Sequence, residues 1–209
     1  MQKGLIFFIL LFSFSNCTYS QMQKNNKLNI PWLNEWDHHF IWHFPEVYQT
    51  DSSYYIGNID PESNLIDIIF YEFNLTSSQL DSIENDIKSE GYMVKYSEED
   101  SCLLKVSNFI GLDSTKLTHV DSLRLFRPCY NHRVPIPNFE KYIDTNNIFT
   151  PNIDYSFITY VIDAKSGKFY KKYNLKPIAQ MPDDWKNGYS LGITLSKKKS
   201  TVIYWVIIW

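Results

Sequence analysis

The densest run of side chains able to hold a metal is Glu35-Trp36-Asp37-His38-His39-Phe40-Ile41-Trp42-His43. His39 and His43 are four residues apart, so they share a face in a helix and equally in a strand, as a pair of imidazole ligands must. No HExxH or CxxC pattern accompanies them, and the remaining ligands would have to come from elsewhere in the chain. The same residues also read as an aromatic strand that turns Trp36, Phe40, Trp42 and Phe44 inward and leaves the histidines at its rim. This second reading needs neither a metal nor another cofactor, and it is the one preferred.

Of the three cysteines, Cys17 stands apart near the N-terminus, while Cys102 lies in a β-like run and Cys129 in a proline-rich stretch. An even pair of thiols in an oxidising compartment is the usual raw material of a disulfide. A bridge between Cys102 and Cys129 would close a loop of about 27 residues and contribute roughly 3.5 kcal/mol by loop entropy. The other reading is two unconnected buried thiols. Cys129 with His132 also offers a thiol near a base, but adjacency along the chain does not bring the base to the sulfur.

A third cluster surrounds Trp185, with Asp183, Asp184 and Asn187 beside it. An exposed indole stacks on a sugar ring, and neighbouring carboxylates and amides orient its hydroxyls, so these four residues are candidates for glycan binding. Residues 151–209 carry nine Lys against four Asp and several tyrosines. Basic and aromatic residues together also suit single-stranded nucleic acid. The whole chain, however, has a net charge of −3, which argues against a nucleic-acid binder. The plainer account makes most of these rings core and Lys197-Lys198-Lys199 a solvated turn. Glu98-Glu99-Asp100 and Asp183-Asp184 are carboxylate clusters in turn-like sequence, whereas a glycosidase needs two carboxyls facing across a cleft. The chain has no GxSxG, Walker loop, GxGxxG or kinase set, so no motif identifies a reaction. A non-enzymatic binding module is therefore expected, with a hydrolase of unpatterned active site as the rival.

Lys3 precedes an uncharged apolar run, Gly4 to Phe14 (GLIFFILLFSF). Eleven residues are too few to cross a bilayer as a helix, which takes about 20, but they have the length and flanks of a secretory leader. The run ends in Phe14-Ser15-Asn16-Cys17, which resembles the processing site of bacterial lipoprotein precursors. Ser15 and Cys17 match that pattern; Phe14 is bulkier than the usual Leu, and Asn16 replaces the usual Gly or Ala. The resemblance covers only the leader. It implies a signal peptide over residues 1–16 and acylation of Cys17, hence a protein held on a membrane in the cell envelope, facing the periplasm or the cell surface. The alternative is ordinary cleavage after Ser20 and a soluble secreted or periplasmic product. Residues 17–29 are polar without periodicity and read as a flexible tether.

Behind the tether, residues 30–209 show no internal repeat and no Gly/Ser-rich linker, so a single domain is expected. Alanine occurs only at 164 and 179 while aromatics reach 17%, which favours sheet over helix. The fold class expected is α+β: antiparallel hairpins with one amphipathic helix, about residues 77–90, packed on one face. That helix opens with a capping box of Thr76 and Gln79, buries Leu80, Ile83 and Ile87, and stops at Gly91. Hairpins are expected at 53–57 with 65–73, 92–96 with 102–106, 157–162 with 169–173, and 189–195 with 201–209. The stretch 108–150 reads as short helices near 114–123 and 138–143 around a proline-rich loop. Strand 201–209 is apolar on both faces and would promote aggregation if exposed, so it belongs in the middle of the sheet. A membrane β-barrel is the lesser alternative, because strand 65–73 lacks the required alternation. The partners expected are the membrane, through Cys17, and an envelope protein or a glycan.

Overall fold

The computed structural model describes residues 33–58, 64–97, 99–106, 109, 127–139, 156–172 and 174–209. The leader, Cys17, the tether, the helix expected near 114–123 and nearly all of that at 138–143 lie outside these residues.

The fold is α+β. Its sheet contains β1 (Ser53–Asn58), β2 (Ile66–Glu72), β3 (Val94–Ser97), β4 (Ile158–Ser166), β5 (Gly188–Ser196) and β6 (Thr201–Ile208). The order across it is β1-β2-β6-β5-β4-β3, and every neighbouring pair is antiparallel. The strand apolar on both faces, β6, is paired along both edges, with β2 and with β5, and all its residues are buried. Sequestering that run from water and from other chains is what its composition demanded. The following residue, Trp209, extends the pairing by exchanging backbone hydrogen bonds with Gly188 at 3.0 and 2.9 Å.

Helix α2 (Ser77–Glu90) covers one face. Its first turn is closed reciprocally: Thr76 N–H donates to Gln79 Oε1 at 2.9 Å, and Gln79 N–H to Thr76 Oγ1 at 3.3 Å. Leu80, Ile83 and Ile87 then pack with Ile68, Phe70 and Val202 of the sheet, as the 3.6-residue period requires. Gly91 ends the helix at φ 98°, a left-handed value that costs glycine little. The helix is also held by charge. Lys197, in the β5–β6 turn, reaches Asp81 at 2.6 Å and Glu84 at 2.8 Å, and Tyr160 donates to Glu84 at 2.7 Å. The short helix α1 (His38–Ile41), N-capped by Asp37, lies on the same face and buries Phe40.

Irregular chain covers the opposite face. Leu104, Val106, Phe109, Ile136 and Phe139 pack with Ile203, Trp205 and Ile207. Two expected hairpins are corrected here. β3 pairs with β4, and residues 102–106 make no strand, only a parallel bridge between Lys105 and Ile136. The chain leaves the sheet because Asp100 Oδ1 accepts the Cys102 N–H at 3.0 Å, while Asp100 Oδ2 holds Arg133 at 2.9 Å. Likewise β4 continues through Asp163 to Ser166, where a turn was expected, and of the strand expected to pair with it the described residues 169–172 form none. Residues 163–166 are drawn into pairing with Leu191 to Gly188, and long-range pairing overrides the turn-like composition. The reversal comes at Gly167, φ 128°, whose N–H donates to Asn187 O at 2.9 Å. The β1–β2 and β5–β6 hairpins form as read.

Candidate functional site

A bulge in β4 organises the polar chemistry of the helix-covered face. Val161 pairs with Gly192 and Asp163 with Leu191, so Ile162 is the extra residue. Alternation would otherwise send Asp163 to the loop-covered face with Val161. The bulge turns it toward the helices instead, the re-aiming that such insertions produce. There Tyr189 donates its hydroxyl to Asp163 Oδ2 at 2.5 Å. With that proton committed, the phenol oxygen accepts from His39 Nε2 at 3.0 Å, and the imidazole lies 3.5 Å from the carboxylate. Burial first, then the carboxylate, pushes the Tyr189 hydroxyl well above the ordinary tyrosine range. It stays a neutral donor at physiological pH and supplies no nucleophile. The arrangement fastens α1 to the sheet.

His43 takes a different course. It is only 8% exposed, and its Nε2 donates to the Trp205 carbonyl at 3.0 Å. Burial lowers its pKa to about 4 despite the carbonyls of Trp205 and Gly192, so the ring is neutral and Nδ1 is a lone-pair acceptor. Nδ1 is buried without a hydrogen-bond partner. The rings of His39 and His43 are thus tied to separate partners, because α1 ends at Ile41 and the chain turns between them. Among the described residues no group of three or more His, Cys, Asp or Glu side chains is placed to hold a metal. Trp36, Phe40 and Phe44 are buried as the aromatic reading required, but in a helical segment rather than a strand. Trp42 and His43 trade places: the indole is 40% exposed and the imidazole is inside.

Trp42 and His43 border a groove of about 220 Å³ between the α1 segment and α2. Its apolar lining comes from Ile83 and Ile87 of α2, Ile162 at the bulge, and Ile193. Asp86 and Glu90 line its α2 side, and among the described residues no Lys or Arg lines it. Three of the large exposed hydrophobic side chains, Trp42, Tyr92 and Met93, lie near the bulge. Trp42 shares the groove with Ile162, and Tyr92 packs edge-on to Tyr160 at 5.1 Å. The Met93 sulfur accepts the Ala164 N–H, and Phe169 meets Tyr189 edge-on at 4.6 Å.

The cluster expected at Trp185 is divided. Trp185 is half-buried in a 3-10 turn (Asp183–Trp185), its ring 6.0 Å from that of Trp209, whose Nε1 donates to the Trp185 carbonyl at 2.8 Å. Asn187 is buried, and its amide donates to Trp209 O at 3.2 Å. Asp183 and Asp184 are exposed; Asp183 pairs with Lys186 at 3.4 Å and borders an open cleft of about 400 Å³.

Cys102 and Cys129 are joined by a disulfide with Cα atoms 6.1 Å apart. Around it, Arg127 donates to Ser101 O at 2.9 Å and the Val134 N–H to the Tyr96 hydroxyl at 2.9 Å. Backbone bonds link Val106 to Ile136 and Ile136 to Leu104 at 3.0 and 2.9 Å. His132, at φ 71°, follows three residues after a cysteine whose sulfur is already in a disulfide and is no thiolate.

Sequence reasoning missed Asp163, Tyr189 and two glutamates. Glu72, at the end of β2, is wholly buried; burial raises it to about 7 although Gln49 N–H donates to Oε1 at 2.6 Å, and Oε2 has no hydrogen-bond partner. Glu84 is the reverse, lowered to about 2 by Lys197 and Tyr160. Only the spacing of Glu84 to Lys88, a 3.0 Å pair, was visible in advance. No protein-family model matches the chain, and neither a curated protein nor a solved structure does.

Proposed function

We propose that the protein is exported, is held on a membrane of the cell envelope through an acylated Cys17, and acts there as a non-enzymatic binding module for another protein. The observation that carries this reading is the Cys102–Cys129 disulfide. Bridges persist in oxidising compartments and are rare in the cytosol, and this one uses the two cysteines that lie outside the leader. The concentration of exposed aromatic and sulfur side chains at the β4 bulge favours a protein contact. Asp163, Tyr189 and His39 beside it are hydrogen-bonded to one another, and they offer no nucleophile paired with a base. Two or more acyl chains on Cys17 would hold the protein stably, since each buried CH₂ contributes about 0.8 kcal/mol.

The test is palmitate labelling of the wild-type chain and of Cys17→Ser, with membrane fractionation and co-purification from the envelope. Label and membrane association are expected in the wild type and lost in the variant. Recovery of the unlabelled wild-type chain from the cytosol with Met1 in place would overturn the reading.

A further inference from the structure

We infer that the groove between the α1 segment and α2 receives the side chain of a lysine on a partner protein. This rests on the reading of the chain as a binding module, though not on its export or its anchor. Three features of the groove define the occupant. The isoleucines that line it are apolar and suit an aliphatic stem. Asp86 and Glu90 supply negative charge on one side, and neither has an ion-pair partner among the described residues. Trp42, on the other side, presents an indole that is 40% exposed, and a cation over an indole face is attracted by its quadrupole.

A further, independent observation points the same way. His43 lines the groove, is more than nine-tenths buried, and leaves Nδ1 without a partner. Its Nε2 is anchored on the Trp205 carbonyl, so the free ring nitrogen can only accept. A buried acceptor left unmade costs free energy and adds to a lining that favours an ammonium, with three donors and no acceptor, over an anion. An acidic side chain would be repelled by the two carboxylates, and a purely aliphatic one would leave both of them unanswered. Lysine suits this lining, with its stem against the isoleucines and its head beside the two carboxylates and the indole.

The experiment uses the full-length protein and the peptide acetyl-Gly-Lys-Gly-amide, followed by NMR. Control peptides carry norleucine or N-acetyl-lysine in place of the lysine. The lysine peptide is expected to shift the Trp42 indole and His43 ring signals and to saturate at about 1 mM, the scale of a one-side-chain contact. The two controls should bind at least about tenfold more weakly. Asp86→Asn combined with Glu90→Gln, at exposed positions that do not threaten the fold, should weaken the lysine peptide by about tenfold, and Trp42→Leu by about threefold.

Equal binding of the norleucine peptide, indifference to the double substitution, or no saturable shift at about 20 mM, well above that Kd, overturns the proposal. Concentration-dependent dimerisation abolished by the same double substitution assigns the groove to a second copy and overturns it too. A partner that co-purifies from the envelope while the peptide fails to bind overturns the groove alone. Peptide binding by a chain found in the cytosol overturns the envelope reading alone.

Discussion

The two faces of the sheet are covered by different means. On one, α2 supplies three regularly spaced apolar residues, a reciprocal cap and an ion-pair link to the β5–β6 turn. On the other, segments without regular structure lie over Trp205 and Ile207, tied together by a disulfide, an Asp100–Arg133 pair and a few backbone bonds. A helix satisfies its own backbone and presents a ready apolar stripe. Irregular chain must find a partner for each buried N–H and C=O and loses more conformational freedom on ordering. The disulfide removes part of that cost from the unfolded state.

This contrast can be broken from either side. The largest effect is expected from Cys102→Ala with Cys129→Ala, about 3.5 kcal/mol of unfolding free energy. Hydrogen exchange should accelerate first in 99–106 and 127–139 and only later in α2. Equal acceleration on both faces, or an unchanged denaturation midpoint, would show that the bridge does not hold the irregular layer. Close behind, Leu80→Ala should cost about 3 kcal/mol through the cavity it leaves under α2, with exchange rising in 77–90 while the disulfide-linked segments stay protected.

The smallest effect distinguishes two glutamates within the helix-covered region. Glu84 is held at about 2 in the folded chain, below its ordinary 4.5. The stability it contributes is complete above pH 4.5 and is lost as pH falls toward 2. Glu72 is raised to about 7 from the same value. The unfolded chain releases that proton first, so stability falls as pH rises from 4.5 through 7. Glu72→Gln should flatten the second slope and gain about 1 kcal/mol at pH 8, whereas Glu84→Gln should flatten only the first. Denaturant titrations from pH 3 to pH 8 on both variants check the signs, and identical profiles would refute the assignment.

What could be read in advance follows the same division. The helix was legible because its signals are local: Thr76 and Gln79 three apart, Leu80, Ile83 and Ile87 on one face, and Gly91 at the end. The β5–β6 hairpin was legible because a lysine-rich turn separates two apolar runs, and the central place of β6 followed from its having no polar face. Asp163 was hidden because its position depends on an extra residue in β4 opposite Gly192 and Leu191, a register detail without a compositional mark. The same pairing concealed that Asp163-Ala164-Lys165-Ser166, rich in turn formers, is strand. The groove was equally invisible: Trp42 and Asp86 are 44 residues apart and meet only through the packing of α1 and α2 on the sheet. His43 was singled out for metal chemistry by residue type alone, and a main-chain carbonyl 162 residues away decided its state.

The position of β6 between β2 and β5 has a consequence for biosynthesis. Among the described residues the other five strands precede it, so a nascent polypeptide short of residue 201 contains the β1–β2 and β3–β4–β5 units without the strand that joins them. Until β6 emerges, Ile68, Phe70, Leu191 and Ile193 each lack one of their two cross-strand neighbours, and the β2–β6 contacts, of long sequence separation, form slowly. The sheet therefore closes from its middle, after synthesis of the pieces on either side.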